Sequence, residues 1–157
     1  MILLNYKGYK MKTILALLLI ITANYSFADG LYTGAWSYHF DRDQWNEKWN
    51  INEDNKLIAY QYKKVIVGHF YNSFGDSTAL LNAEIFSYQF HDIKATIFGG
   101  ATYGYSFCNG DKPKTFSDPK KICPNLMPEI KYTKYKLQPS LIGITNGIAV
   151  TFMWKIN

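Results

Sequence analysis

A chain of 157 residues suggests a single domain. Its formal net charge of +5 includes Lys7, Lys10 and Lys12, which sit in an N-terminal segment that reads as a signal; without them 14 basic residues stand against 12 acidic ones, a balance of +2 that argues against a nucleic-acid partner. Aromatic residues make up 17% of the chain. No apolar run after the signal approaches the length of a spanning helix, which leaves a soluble all-β protein or a membrane barrel with aromatic girdles.

The three lysines precede the apolar run Ile14–Ile21, and Ser26-Phe27-Ala28 closes the segment. Charge, apolar core and small-x-small site in that order describe a secretory signal over residues 1–28, with cleavage after Ala28. Met11 opens a cleaner signal than Met1 and is an alternative start. The apolar core of about ten residues is short for a membrane anchor, which needs about 20. The folded domain is then 29–157.

Within that domain side chains alternate with period two, the signature of strands. Trp36, Tyr38 and Phe40 oppose Ser37 and His39. Residues 57–62 and 64–72 are strand-like without a clear facing. Ala79, Leu81, Ala83 and Ile85 oppose Asn82 and Glu84. Ile93, Ala95, Ile97, Ala101, Tyr103 and Tyr105 alternate with Lys94, Thr96, Thr102, Gly104 and Ser106. Leu126, Pro128, Ile130 and Tyr132 alternate with Met127, Glu129 and Lys131; Tyr135, Leu137, Pro139 and Leu141 with Lys136, Gln138 and Ser140. Finally Ile148, Val150, Phe152, Trp154 and Ile156 oppose Ala149, Thr151, Met153 and Lys155. The expected fold is an all-β, eight-stranded antiparallel up-and-down barrel of the outer-membrane type, with strands near 32–40, 56–62, 65–72, 78–87, 92–106, 126–133, 135–143 and 147–156.

Connections alternate between tight turns and longer loops, as they do between the two rims of outer-membrane barrels, and Asn146-Gly147 is a hairpin signal. A soluble ligand-binding barrel would show the same alternation with its apolar face inward. Three features favour the membrane: uniform apolar faces rimmed by aromatics, opposite faces that mix charge with Gly, Ser and Thr, and a last strand reading Phe-x-Trp-x-Ile. Cys108 and Cys123 are the two cysteines, and in a secreted chain they read as one disulfide.

On several short matches in order, the chain resembles the lipid A palmitoyltransferase (PagP) family. Phe70-Tyr71-Asn72-Ser73-Phe74 stands where that family has Phe-x-Asp-Ser-Trp. Asn125-Leu126-Met127-Pro128 is similar to its Leu-Leu-Pro, and Asn146-Gly147 followed by Val150–Trp154 to its last hairpin. Trp36 and His39 stand near its Trp-His. The matches cover about a third of the domain. The resemblance implies an eight-stranded outer-membrane enzyme that moves an acyl chain from a phospholipid to lipid A, with His39, Asn72 and Ser73 as catalytic residues. The chain departs from the family at Asn72, which replaces an Asp; in lacking an amphipathic helix before the first strand; and in Glu129, Lys131, Lys136 and Gln138, which would line an interior that the family keeps apolar.

Acyl transfer needs a hydroxyl, a proton acceptor and donors for an oxyanion. His39 suits the base, Ser73 supplies the hydroxyl, and Asn72 can donate but cannot act as a carboxylate. Asp41 and Asp76 are the carboxylates near enough to orient His39. Equally, Asn-Ser-Phe-Gly-Asp is good turn chemistry. Arg42 and Lys48, in the mixed-charge segment Asp41–Trp49, are candidates for lipid A phosphates, or belong merely to a solvated outer loop. Pro128 and Pro139, on neighbouring strands, remove ladder donors and could open a seam to a lipid, or sit harmlessly near strand ends. His69 and His91 are too scattered for a metal site, and no cofactor motif is present. The expected partners are membrane lipids, phospholipid and lipid A, for a monomeric barrel. A non-enzymatic structural or surface-interaction barrel is the alternative, and a soluble ligand-binding barrel a third.

Overall fold

Eight alternating segments can hide every ladder group only if the sheet closes on itself, and it does. The computed structural model describes residues 28–40, 51–106, 108 and 119–156. Strands β1 (Ala28–His39), β2 (Asp54–Tyr62), β3 (Val65–Tyr71), β4 (Ser77–Phe90), β5 (Ile93–Tyr105), β6 (Lys121–Tyr132), β7 (Leu137–Ile144) and β8 (Gly147–Lys155) form a closed antiparallel barrel in sequence order. β1 completes it against β8, from Gly30↔Lys155 to His39↔Gly147. The expected signal apart from Ala28, and the loop residues Asp41, Arg42 and Lys48, lie outside the described residues.

Two strands begin earlier than their periodicity announced, β1 at Ala28 and β6 at Lys121. In β6, Pro124 and Pro128 interrupt the apolar pattern, yet the strand pairs with β5 as far as Tyr105↔Lys121. β4 runs on to Phe90, so that the β4–β5 turn tightens to His91-Asp92. Lys136 is a correction: it is exposed in the β6–β7 turn and does not line the interior, whereas Glu129, Lys131 and Gln138 do.

A bulge in β1 decides which side chains enter the barrel. Tyr32 points inward, and strict alternation would send 34, 36 and 38 after it. Instead the register shifts between Gly34 and Trp36 against both neighbours, Gly34 and Ala35 take φ of 88° and 82°, and Ala35 and Ser37 become the buried residues. An extra residue in one strand re-aims everything after it. Thus Trp36 and Tyr38 face out and His39 faces in. Trp36 lies over Gly34, where a Cβ would stand 2.9 Å from its ring, so glycine is needed there for both φ and space.

The burial is inverted relative to a soluble barrel. Buried inside are Gln61, Asn82, Thr96, Glu129, Lys131, Gln138, Ser140 and Thr151 beside a modest apolar cluster. Exposed outside are aliphatic residues such as Ile58, Val67, Leu81, Leu126, Ile130 and Val150. They are flanked toward the loop rim by Trp36, Tyr38, Tyr71 and Tyr103, and toward the rim bearing the termini by Tyr88, Phe90, Tyr132, Tyr135 and Trp154. Trp36, Tyr103 and Trp154 are each more than half exposed, at 53%, 54% and 52%. Several of these interior polar groups pair with one another. Lys131 Nζ donates to Tyr32 Oη (2.6 Å) and lies 3.3 Å from Glu129 Oε2, Tyr32 Oη donates to Gln61 Oε1 (3.1 Å), and Ser140 and Thr151 hydroxyls meet at 2.6 Å. Burial of charge demands such partners.

Candidate functional site

The β3–β4 connection is a tight turn built on Asn72. Its Oδ1 accepts the N–H groups of Phe74 (2.9 Å) and Asp76 (3.1 Å), its backbone N–H donates to Asp76 O (2.9 Å), and Gly75 closes the turn at φ 78°. This is the local side-chain capping that makes Asn a turn residue. Its Nδ2 donates to Gly104 O at 3.4 Å, across on β5. Asn72 is fully buried by these contacts. A second segment clamps the turn: Asn52 N–H donates to Ser73 O (2.8 Å), and Asn52 Nδ2 to Asn72 O (3.1 Å).

With the backbone of residue 73 held on both sides, its hydroxyl meets the imidazole that the β1 bulge turns inward. Ser73 Oγ and His39 Nε2 lie 2.9 Å apart, hydrogen-bonded across 34 residues of sequence. When Nε2 is unprotonated the hydroxyl is the donor, which is the arrangement a general base requires. Both residues stand on the wall of a cavity of about 260 Å³ inside the loop half of the barrel. Ala35, Leu57, Phe70, Leu80, Met127 and Ala149 give it an apolar lining. Tyr32, Gln61, Glu129 and Lys131 form a polar layer in the half of the barrel nearer the termini.

Among the described residues, two polar side chains of the cavity wall have no hydrogen-bond partner. Ser37 Oγ and both amide atoms of Asn125 are buried without a hydrogen bond. Asn125 stands just before the sixth strand expected at 126–133. The parity of Glu129 and Lys131, carried back through Met127, would have placed it inward. Asp76 is engaged by Lys120 Nζ, which also donates to Ser106 Oγ (3.4 Å); Asp41 and Arg42 lie outside the described residues. A second Ser–His contact, His69 Nε2 to Ser77 Oγ at 2.7 Å, faces outward on β3 and β4 with Tyr71 edge-on to the imidazole at 5.4 Å.

The two cysteines form the expected disulfide, with Cα atoms 5.3 Å apart. Both line the cavity. Cys123 anchors the bond in β6, opposite Thr102 of β5, so it ties the long β5–β6 connection to the cavity wall.

The prolines bracket the weakest seam. β6 and β7 register only over Glu129↔Ile142, Ile130↔Leu141 and Lys131↔Ser140. Pro128 precedes Glu129 at one end of that ladder, and Pro139 precedes Ser140 at the other. A Cβ on Gly143 would come within 2.7 Å of Pro128 Cγ. Beyond Pro128 toward the loop rim, Pro124, Asn125 and Leu126 of β6 and Ile142, Ile144, Thr145 and Asn146 across the seam all line the cavity. Leu126 is itself 64% exposed on the outer face. The cavity therefore reaches the unpaired part of the seam. No group of three metal-binding side chains occurs among the described residues.

No protein-family model matches this chain, and no curated protein sequence is significantly similar to it.

Proposed function

We propose that the chain is an outer-membrane barrel that transfers an acyl chain from a phospholipid to lipid A, with Ser73 as nucleophile and His39 as its base. The single observation that carries the reading is the 2.9 Å Ser73–His39 contact at the wall of an apolar cavity that reaches the β6–β7 seam. Membrane placement is supported by the inverted burial: an aliphatic belt between aromatic rims suits a bilayer and exposes far more apolar surface than a water-soluble monomer carries. The resemblance to lipid A palmitoyltransferases in Asn72-Ser73, Leu126–Pro128 and the last hairpin agrees with it.

In this mechanism His39 Nε2 takes the Ser73 hydroxyl proton as Oγ attacks the ester carbonyl. The tetrahedral oxyanion collapses to an acyl-Ser73 ester and expels the lysophospholipid alkoxide, which takes the proton back from His39. A lipid A hydroxyl, deprotonated by the same imidazole, then attacks the acyl-serine and restores the free Ser73. The Asn125 amide and the Ser37 hydroxyl are the unpartnered donors available to the carbonyl oxygen. Asn72 holds the turn, with its carbonyl oxygen already occupied. The cavity shelters the acyl chain, and the loosened β6–β7 seam beside Pro128 gives a lipid its way in.

The test is full-length protein reconstituted with phospholipid and lipid A, followed by mass spectrometry of both. Acyl transfer yields lysophospholipid and acylated lipid A in equal amounts, and Ser73→Ala and His39→Ala each lower the rate about 10²–10⁴-fold. Free fatty acid without acylated lipid A would make the barrel a lipid hydrolase. No lysophospholipid from the wild type would refute acyl chemistry and leave the non-enzymatic barrel, a reading that the absence of a carboxylate at Asn72 favours. Recovery in the soluble fraction after alkaline washing would refute the membrane placement.

A further inference from the structure

The rim bearing the termini holds a second cavity, of about 340 Å³, separate from the Ser73–His39 site. Lysines from four places in the chain converge on it: Lys63 from the β2–β3 turn, Lys94 from β5, Lys131 from β6 and Lys155 from the end of β8. Two are compensated, Lys94 by Glu84 at 2.8 Å and Lys131 by Glu129 at 3.3 Å. Lys63 and Lys155 have no carboxylate within ion-pair distance among the described residues; Lys63 Nζ lies 5.3 Å from the centroid of the Tyr62 ring. Among the described residues the cavity therefore carries an excess of two positive charges, and the adjoining turns add Lys64, Lys134 and Lys136 against Asp92.

We infer that this mouth binds a phosphate-bearing anion. Ammonium groups on a solvated rim would spread apart to lessen their repulsion. Here four lysines line one concavity with polar walls, where a low-dielectric surround concentrates the potential. The walls are fixed: Gln61 Nε2 donates to Lys63 O (3.0 Å), Gln138 Nε2 to Thr133 O (3.2 Å), and Gln89 Nε2 to Thr133 Oγ1 (3.1 Å). Lysine is a point-charge donor suited to the oxygens of phosphate, and two unpaired lysines match the charge of one phosphate group. The ligand is either a phosphate group in solution or the headgroup of an anionic phospholipid bent over the rim. The inference stands on this cavity alone and does not depend on acyl transfer at Ser73.

The experiment uses full-length barrel refolded in a phosphate-free maltoside detergent, with calorimetric titration at fixed ionic strength. One arm adds inorganic phosphate against a chloride control. The other adds mixed micelles containing phosphatidylglycerol. Wild type should bind saturably in at least one arm, and Lys63→Gln/Lys155→Gln should weaken that binding by about tenfold or more, roughly 1.4 kcal/mol. Heat-modifiable gel mobility checks that the double variant still folds, since both side chains lie at the rim. Saturation by phosphate supports a soluble ligand, and saturation by phosphatidylglycerol alone supports a headgroup. Saturation in neither arm, heats equal to those of chloride, or undiminished binding in the double variant would overturn the inference.

Discussion

The pair Glu129–Lys131 is the sharpest place to test how the barrel interior is held. Both side chains are almost fully buried, at 1% and 3% exposure, and their charged atoms lie 3.3 Å apart. Lys131 also donates to Tyr32 Oη, which in turn donates to Gln61. Glu129→Leu leaves the ammonium with only neutral partners; Lys131→Met leaves a buried carboxylate whose Oε1 already has no hydrogen bond. Removing one member of a buried pair costs about 3–5 kcal/mol, because the survivor keeps its desolvation penalty without its counter-charge. That is two to more than three orders of magnitude in the unfolding equilibrium. Replacing both by apolar residues removes the two penalties together, so the double variant should lose less than either single one. Reversible urea unfolding of the barrel in lipid vesicles, followed by tryptophan fluorescence, measures all four corners of the cycle. If the double variant loses the sum of the two single losses, the ions are not coupled and the reasoning fails.

Other outcomes follow from the same contacts. Asn72→Ala deprives the N–H groups of Phe74 and Asp76 of their acceptor; urea unfolding should show a loss of about 1–3 kcal/mol. Replacing Cys108 and Cys123 together by Ser opens a link of sequence separation 15, which the chain-entropy account puts at about 3 kcal/mol. Unfolding midpoints with and without reductant would check it, the double variant being indifferent to reductant. Gly34→Ala forces a Cβ at φ 88° against the Trp36 ring. It should destabilise the barrel by about 1–2 kcal/mol, and any acyl transfer should fall with it, because the same bulge aims His39.

Much of the fold was legible because a strand's two faces are written in alternate residues. Eight strand-like segments, six of them with clear period-two alternation, predicted eight strands, and the parity of Glu129, Lys131 and Gln138, taken with an outward apolar face, put them inside. The disulfide was legible for a simpler reason, since two cysteines allow only one pairing. Element ends were not legible in β1 and β6. There prolines and glycines blur the pattern, and a partner strand supplies the hydrogen bonds that extend the element. Lys136 shows the same limit, because parity assigned it a face but its place in the β6–β7 turn released it to solvent. The site was legible only in its parts. His39, Ser73 and Asn72 could be named from turn chemistry and resemblance. That Ser73 meets His39 depends on a bulge at Gly34–Ala35, on a turn locked by Asn72, and on ring closure that brings β1 and β3 around one cavity. That Asn125 and Ser37 end as buried polar groups without partners among the described residues depends on the same closure. Local alternation is a property of neighbouring residues, so the sequence determines it. The contact of two side chains 34 residues apart is set by register, shear and closure, and only the folded barrel decides those.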